Sequence, residues 1–342
     1  MQTSTKLKMG GLFFALVVLL TLFSSILSLQ GKIEHVIVLV MENRAFDHVL
    51  GFLKETNNEI DGCLPNASGC SNPDDPLNPQ KWTTVGNTAV YKTVVDPGHS
   101  IHSTYDQIYP FGGATNASSS TMMGFIKNYR AKTGDETSAE TIMQGFAPEH
   151  VPIISTLAKE FAVVDGWFAS VPGPTEPNRC YVVSATSHGM GTNDVNQMVK
   201  GLPQKTMFRQ VLEMGLDYRL YMKQVPATIM FKEMRRKSAR KRYRMFPAFL
   251  EDLASGNIPD FSFIEPGYFD TPLAAASDQH PDHDVSAGEA LIKEVYEAVR
   301  ASPTWNSTAL IITWDEHGGF FGESLRRPLA VVLWPLIACC CY

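Results

Sequence analysis

The chain has 342 residues, of which 44% are hydrophobic and 19% are charged, a composition typical of a globular protein with one or two domains. The formal net charge of -6 and the sequence pI near 5.9 give no sign of nucleic-acid binding. Composition therefore indicates a globular protein without a nucleic-acid partner.

The N-terminal segment has the pattern of a secretory signal peptide. Lys6 and Lys8 precede an apolar run over residues 9–23, and small serine residues follow it. The apolar run to Leu29 is nearly long enough to span a bilayer, so an uncleaved anchor is the alternative. We expect residues 1–29 to be cleaved, because the first core strand is predicted only a few residues later. The protein would then enter the secretory pathway and be extracellular or membrane-associated.

Two further features agree with secretion. Three triplets, at Asn66, Asn116 and Asn306, match the acceptor pattern for N-glycosylation. Cys63 and Cys70 flank a loop rich in Pro, Asn, Ser and Gly, and they can pair in an oxidising compartment.

A predicted strand followed by candidate metal ligands comes first along the chain. Residues 36–41 form a continuous apolar run, which is typical of a strand buried on both faces of a sheet. Glu42 and Asn43 follow it, and open α/β sheets bind ligands beyond the carboxyl ends of their strands. A carboxylate and an amide oxygen at that edge suit a hard cation. Alternatively, these two residues cap the next helix.

The region after this strand is predicted to be largely irregular. Residues 49–54 have the pattern of a helix start, and residues 55–90, rich in Asn, Pro, Gly and Asp, are predicted to form a long loop. The turn DPGH at residues 96–99 then presents His99. A single histidine in a loop is usually a solvated surface group, so His99 alone is weak evidence of a site.

A candidate nucleophile follows a predicted helix at residues 151–160 and a predicted buried strand at residues 161–164. The loop VPGPTEPNR, residues 171–179, holds Thr175 in a proline-stiffened segment, as expected of a hydroxyl nucleophile that opens a helix. Amide N–H groups at the helix start would favour an anionic substrate. The planar cation of Arg179 suits phosphate. Alternatively, Thr175 is the N-cap of the helix.

The segment from Lys232 to Arg244 is strongly basic, with eight basic residues and one acidic residue. The first interpretation is the solvated face of a helix. The second is a surface that docks on anionic lipid headgroups of a membrane.

A cluster of histidine and aspartate follows a strand predicted at residues 261–265. The sequence SDQHPDHD, residues 277–284, carries His280 and His283. Asp284 is predicted to cap a helix over residues 285–300, which places the histidines at a helix start, where an anion binds. A zinc-binding pair is the alternative, although no cysteine lies close enough in sequence to complete a structural site.

The last predicted strand, like the first, is followed directly by candidate metal ligands. Residues 309–314 are apolar and run directly into Asp315 and Glu316. A second group of carboxylates is therefore expected at the carboxyl edge of the sheet.

Taken together, these motifs resemble the phosphoesterase family of plant non-specific phospholipases C, to which bacterial phospholipases C and a class of acid phosphatase are related. The motifs are, in order, ENRAFDH (42–48), DPGH (96–99), TEPNR (175–179), DQHPDHDV (278–285) and ITWDEHGG (312–319). The resemblance covers about residues 33–320. It implies a fold similar to the alkaline-phosphatase superfamily, a single α/β domain whose mostly parallel sheet is flanked by helices.

The resemblance also implies a metal site. Glu42 and Asn43 match one pair of metal ligands in the family, and Asp315 and Glu316 match another. Thr175 matches the nucleophile, which would also contact the metal ion. An oxygen-rich ligand set suits Ca, Mg or Mn rather than zinc.

The implied chemistry is hydrolysis of a phospholipid phosphodiester through a phosphorylated threonine. His99, His280 and His283 match histidines that contact phosphoryl oxygens or handle the proton of the leaving group. Phosphatidylcholine would yield diacylglycerol and a phosphorylated headgroup. The alternatives are an acid phosphatase acting on phosphomonoesters and a non-catalytic product that only binds lipid.

The sequence departs from the family pattern after Phe321. Family members continue with an Asp-His pair and a long further region, whereas residues 322–342 are largely apolar and end in three cysteines and a tyrosine. We expect residues 30–321 to form an incomplete phosphoesterase domain and residues 322–342 to remain outside it. Alternatively, the apolar run LAVVLW, residues 329–334, pairs as an edge strand in the slot left by the missing region. Missing strands would leave the sheet edge open and the chain unstable, with weak or no activity.

Overall fold

A seven-stranded sheet forms the centre of the fold. The computed structural model describes residues 33–112, 120–322 and 330–333. The strands are β1 His35–Met41, β2 Ser71–Pro73, β3 Trp82–Thr84, β4 Ala162–Val164, β5 Tyr218–Met222, β6 Tyr243–Met245, β7 Phe261–Glu265, β8 Thr308–Trp314 and β9 Ala330–Leu333. The order across the large sheet is β4-β9-β8-β1-β7-β5-β6, and β2 pairs with β3 separately. The five strands from β8 to β6 are parallel, which confirms the predicted mostly parallel sheet.

Helices connect the strands. The α-helices are Phe46–Val49, Ile101–Ile108, Phe125–Thr133, Glu136–Ala139, Pro152–Glu160, Thr175–Ser184, Val195–Lys200, Met207–Glu213, Lys237–Arg240, Pro247–Ser255 and Val285–Ala301. The 3-10 helices are Gly51–Glu55, Glu140–Met143, Ala227–Met230, Glu233–Arg235 and Trp305–Ser307. Among the described residues, no helix is long and apolar enough to cross a membrane.

Burial of β1 on both faces explains its continuous apolar sequence. Successive side chains of a strand point to opposite faces of the sheet. Ile37, Leu39 and Met41 therefore belong to one core, shared with helices Pro152–Glu160, Pro247–Ser255 and Val285–Ala301. Val38 and Val40 belong to a second core on the other face. The α/β fold with helices on both faces of the sheet is thus confirmed.

Two local predictions differ from the structure at the sheet edge and in the long loop. β4 was expected to be buried, but Ala162 is exposed because β4 is an edge strand that pairs only with β9. The segment 55–90 contains the small β2-β3 ladder. It also contains the expected disulfide between Cys63 and Cys70.

The basic segment from Lys232 to Arg244 is not one helix, so the interpretation as a solvated helix face is wrong. It consists of the 3-10 helix Glu233–Arg235, the short helix Lys237–Arg240 and the start of β6. Met234 and Ala239 are buried in the second core. These two apolar side chains interrupt the basic pattern and fix the segment in short turns against the core.

Part of the C-terminal segment joins the sheet. β9 pairs antiparallel with β8 on one side and with β4 on the other. This agrees with the alternative that the apolar run of this segment pairs with the sheet, although β9 lies between two strands rather than at an edge. Backbone N–H and C=O groups on the side of β8 away from β1 need partners, and β9 supplies them. The predicted signal peptide, Asn116 and the remainder of residues 323–342 lie outside the described residues.

Glu289 joins two helices through a buried carboxylate. From helix Val285–Ala301 it accepts hydrogen bonds from the amides of Ile153, at 2.8 Å, and Ile154, at 3.3 Å. These amides lie at the start of helix Pro152–Glu160, where N–H groups lack partners within the helix. Burial raises the pKa of Glu289 from 4.5 to about 7, although the two hydrogen bonds lower it.

Glu289 should therefore contribute to the pH dependence of stability. Between pH 4.5 and about 7 the folded protein keeps a proton on this group that the unfolded chain releases. The contribution is full below pH 4.5 and is lost as pH rises through about 7. We expect Glu289→Gln to flatten the decline of unfolding free energy across this interval in denaturant titrations. Glu297→Gln, an exposed position on the same helix, should keep the wild-type slope, and equal slopes in both variants would contradict the assignment.

Candidate active site

The parallel pairing of β1 with β8 brings the two predicted ligand pairs together. Met41 pairs with Trp314 in the register, so Glu42 and Asp315 follow at the same level. The amide of Asn43 donates a hydrogen bond to Oδ1 of Asp315 at 3.0 Å. The capping alternative for Glu42 and Asn43 is wrong, because the next helix has no side-chain cap. Two strand ends that are 272 residues apart in sequence thus form one polar edge.

Thr175 contacts this edge from the start of a helix. It is the first residue of helix Thr175–Ser184, and Pro174 is the N-cap, so the alternative of an N-cap at Thr175 is wrong. Its Oγ1 donates a hydrogen bond to Oδ1 of Asn43 at 3.1 Å. The hydroxyl is therefore held both at a helix N-terminus and against the end of β1.

Two turns pack backbone against backbone below the site. Asn43 has a φ of 56° and Gly318 a φ of 65°, both in the left-handed region. A Cβ at Gly318 would lie 1.9 Å from the carbonyl oxygen of Asn43. Only glycine at position 318 permits this approach, which keeps the ends of β1 and β8 together.

Gly318→Ala should therefore disrupt the site. The left-handed backbone alone costs about 1–3 kcal/mol for a residue with a Cβ, and the clash with Asn43 adds to this. We expect a lower denaturation midpoint and loss of function at the site. Gly166→Ala is the matched control, because a Cβ there meets no atom within 4 Å. Equal stability of the two variants would show that the close approach is not required.

Arg179 holds the carboxylates together. Its Nε lies 3.1 Å from Oδ2 of Asp315, and Nη2 lies 3.2 Å from Oε1 of Glu42. Nη1 donates to the hydroxyl of Tyr268 at 2.9 Å, and Nη2 donates to the carbonyl of Val40 at 3.2 Å. Arg179 is buried and does not line the cavity beside Thr175. This placement differs from the predicted role as a phosphate ligand and makes Arg179 a positioning residue.

The buried carboxylates have strongly shifted pKa values. Burial raises the pKa of Glu42 well above its ordinary value, and Arg179 opposes this. Burial likewise raises the pKa of Asp315 to about 6, again against the charge of Arg179. For Glu316, burial acts in the same direction, but the charge of His99 helps to lower the pKa to about 2. Glu316 is therefore an anion, and Arg179 favours the anionic form of the other two.

His99 lies between two carboxylates at the same edge. Its Nδ1 is 2.6 Å from Oε1 of Glu316, and its Nε2 is 3.2 Å from Oδ2 of Asp96. The side-chain amide of Asn43 lies 3.4 Å from the same Nδ1. Burial lowers the pKa of His99, but Glu316 and Asp96 outweigh it and raise the pKa to about 11. The structure thus places His99 in contact with both predicted ligand pairs.

The loop before helix Val285–Ala301 brings His280 and His283 to the same region as His99. Nδ1 of His283 lies 2.8 Å from Oδ1 of Asp278, and Nδ1 of His280 lies 2.5 Å from Oδ1 of Asp282. The ring centroids of His280 and His99 are 6.3 Å apart. Asp284 caps the following helix through the amide of Ser286, as predicted. All three predicted histidines therefore meet in one region.

Two groups of side chains are spaced to hold a cation. Among the described residues, these are Asp96 with His99 and His280, and His280 with Asp282 and His283, each with donor atoms within 4.8 Å of one another. Oδ1 of Asp96 is buried without a hydrogen-bond partner, and such an oxygen is costly unless a ligand satisfies it. The unsatisfied oxygen of Asp96 therefore fits a divalent ion, with His280 as a neighbouring donor and His99 as a donor once it has lost its proton.

The predicted oxygen ligands meet at one edge of the sheet, with Arg179 beside them. Hydrogen bonds bring Asn43 to Thr175 and to Asp315. The carboxylates of Glu42 and Asp315, however, share the guanidinium of Arg179. The cation of Arg179 thus occupies a position between two groups that were expected to share a metal ion.

Comparison with known proteins identifies the family. The model of the phosphoesterase family matches residues 33–326. The chain belongs to the phosphoesterase family. Non-specific phospholipase C1 of Arabidopsis thaliana is 45% identical over 294 residues, covering 86% of this chain and 54% of that protein. Non-specific phospholipase C6 of the same plant is 41% identical over 301 residues, covering 87% and 56%.

More distant relatives of this phosphoesterase are bacterial. Phospholipase C B of Mycobacterium tuberculosis is 27% identical over 327 residues, covering 84% of this chain and 59% of that protein. The chain spans about half the length of the curated relatives that it matches.

Three residues of this phosphoesterase site were missed by sequence reasoning. Asp96 is within the quoted DPGH motif, three residues before His99, and that spacing was the available signal. Glu265 ends the buried strand β7, the same pattern that drew attention to Glu42, and it lies 4.0 Å from Arg179. Tyr268 gave no sequence signal, because only the tertiary structure brings its hydroxyl to Arg179.

A cavity of about 570 Å³ opens beside Thr175 of this phosphoesterase. One part of its wall is polar and includes Glu42, Thr175 and His283. Another part is apolar and includes Met198 and Phe269. The cavity can therefore receive a ligand with a phosphoryl group at one end and hydrocarbon at the other.

Proposed function

We propose that this chain carries phospholipase C activity, the hydrolysis of a glycerophospholipid such as phosphatidylcholine to diacylglycerol and a phosphorylated headgroup. The observation that carries the proposal is the divided cavity, which combines Thr175 and histidines with an apolar wall. Relatives named phospholipases C match most of the chain and support the same activity.

Thr175 is the proposed nucleophile. Its hydroxyl proton is released to water and Oγ1 forms a bond to phosphorus, while the bond from phosphorus to the diacylglycerol oxygen breaks. Water later hydrolyses the phosphothreonine and restores the hydroxyl. The N-terminus of helix Thr175–Ser184 favours the negative charge of the phosphoryl group.

His283 is suited to protonate the leaving diacylglycerol oxygen. It lines the cavity, and its hydrogen bond to Asp278 raises its pKa. The protonated form required of a general acid is thereby favoured. His280 lies beside it, with ring centroids 5.7 Å apart, and is the second candidate for this role if it does not ligate the metal ion.

A divalent ion is proposed as the cofactor. Asp96, His99 and His280 form one donor group, in which His99 would ligate after losing its proton. Glu42, Asn43, Asp315 and Glu316 supply oxygens at the same edge. When bound, the ion would lower the pKa of the nucleophile and neutralise charge on phosphorus. Carboxylate and amide oxygens suit Ca, Mg or Mn, whereas the two imidazoles favour a transition metal.

Chelation tests the metal proposal. We expect EDTA treatment to abolish turnover and one added ion among Ca, Mg, Mn and Zn to restore it, because charge on phosphorus would otherwise be uncompensated. Metal content measured by mass spectrometry should fall in Asp96→Asn relative to Asp217→Asn, an exposed control before β5. Full turnover in a chelated, metal-free sample would contradict the proposal.

A substrate panel tests the reaction. The chain is incubated with phosphatidylcholine in detergent micelles and, separately, with p-nitrophenyl phosphate. Metal-dependent release of diacylglycerol supports phospholipase C activity. Preference for the soluble monoester would favour the acid phosphatase alternative, and no turnover on either would favour a lipid-binding product.

We also propose that the protein enters the secretory pathway. The disulfide between Cys63 and Cys70 supports it, because disulfides persist in oxidising compartments. Asn66 and Asn306 are exposed, as glycan acceptors must be. A shift in mobility after N-glycosidase treatment of secreted protein would support the location.

A further inference from the structure

Five apolar side chains are exposed around the mouth of the cavity. They all line the cavity and come from three separate segments: Val195 (64% exposed), Val199 (70%), Val225 (68%), Ile229 (42%) and Phe269 (64%). We name this group the apolar rim. Isolated exposed apolar residues are ordinary, but a contiguous group at the entrance of a site marks an interaction surface.

Hydrogen bonds hold the three segments of the rim in place. Gln224 binds the backbone of Phe269 through both ends of its side-chain amide, at 2.7 and 2.9 Å. Arg235 donates to the carbonyl of Val199 at 2.7 Å and to the carbonyl of Ile229 at 2.7 Å. The rim is therefore preorganised, since hydrogen bonds hold the backbone of its residues in place.

Basic side chains flank the rim. Lys200 ends the rim helix Val195–Lys200 and is exposed. Lys232 is also exposed, and its side chain lies against Gly201, the residue that follows the rim helix. Apolar residues bordered by basic residues match a surface of acyl chains bordered by anionic headgroups.

We propose that the apolar rim docks on the surface of a phospholipid bilayer. Its side chains enter the boundary between headgroups and acyl chains, and a lipid then moves along the apolar wall to Thr175 without crossing water. The proposal rests on the phospholipase C function proposed above. A protein seated on the rim would close the route that the apolar wall offers to the substrate, so a lipid surface is the occupant that agrees with the site.

The apolar rim, rather than the whole basic segment from Lys232 to Arg244, makes the main contact with the membrane. In that segment, Arg235 uses its guanidinium to fasten the rim through backbone carbonyls. Arg242 is paired with Asp217 at 2.8 Å. The basic residues near the rim act as flanking charges, and the apolar rim provides the insertion.

Vesicle binding tests the proposal without relying on turnover. All measurements use the Thr175→Ala background, so that the lipid is not consumed. Sedimentation with vesicles of phosphatidylcholine and phosphatidylserine is compared for Val199→Asp, Phe269→Asp and the double variant. The matched control is Leu77→Asp, at a position that is 64% exposed in a different region. Thermal unfolding of each variant verifies that it is folded.

We expect the double rim variant to lose vesicle binding by about tenfold or more, because charged groups at these positions oppose insertion into the acyl boundary. Leu77→Asp should bind as the background does. Wild-type binding by the double rim variant would overturn the proposal, as would loss of binding only in Lys237→Glu/Arg240→Glu.

A fluorescent label gives a second readout. A polarity-sensitive dye on Val199→Cys should shift to shorter wavelength on vesicles, whereas the dye on Leu77→Cys should not, and equal behaviour of the two would contradict insertion. Hydrolysis of micellar phosphatidylcholine by a chain that does not bind vesicles would contradict the docking proposal but not the proposed function. Rim-dependent vesicle binding without any hydrolysis would sink the proposed function alone.

Discussion

Thr175→Ala is expected to reduce phosphodiester turnover by roughly a thousandfold or more, equivalent to about 4 kcal/mol of activation free energy. The variant removes the oxygen that would bond to phosphorus, and the neighbouring Asn43 amide cannot replace it as a nucleophile. The effect is measured as the amount of diacylglycerol released after fixed reaction times. Stability should change little, because the threonine makes one side-chain hydrogen bond in the described structure.

The exposed Thr192→Ala is the matched control and should retain wild-type turnover. Thr175→Ser distinguishes chemistry from packing, because it keeps the hydroxyl and should recover substantial activity. More than about a tenth of wild-type turnover in Thr175→Ala, a barrier change of only about 1.4 kcal/mol, would refute the nucleophile assignment.

Arg179→Met is expected to have the largest effect on stability. Glu42 and Asp315 would remain buried after loss of their shared cation. Breaking a buried ion pair in this way costs about 3–5 kcal/mol. Denaturant titration of the chelated protein measures the loss, and turnover should fall with it because the carboxylates are no longer positioned.

Two comparisons separate this effect from a general loss of charge. Arg209→Met removes an exposed arginine paired with Glu213 at 3.0 Å, and it should cost no more than about 1 kcal/mol. The loss of unfolding free energy in Arg179→Met, relative to the wild type, should also become smaller as pH falls from 8 to 5. Arg179 lowers the pKa values of Glu42 and Asp315, so the variant carboxylates protonate more readily and lose their uncompensated charge. A deficit that does not change with pH would show that packing, rather than charge, is responsible.

The sequence determined the elements on which the site stands. The runs that form β1, β7 and β8 were predicted to within two residues, because strands buried on both faces require continuous apolar sequence. Thr175 at the first position of a helix and Asp284 at an N-cap follow from local chemistry of proline and aspartate. The ordered motifs were sufficient to recognise the phosphoesterase family, which the family match confirms.

Tertiary structure alone decided what each charged group contacts. Arg179 is close to Thr175 in sequence, which suggested a phosphate ligand, yet its helix directs it under the sheet edge to Glu42 and Asp315. The charge of the basic segment predicted a solvated helix face. The burial of Met234 and Ala239 instead determined the path of its backbone. The apolar rim unites residues from three segments, so no local pattern could have shown it. Sequence periodicity reports which face of an element is buried, but the pairing of distant side chains depends on how the elements pack.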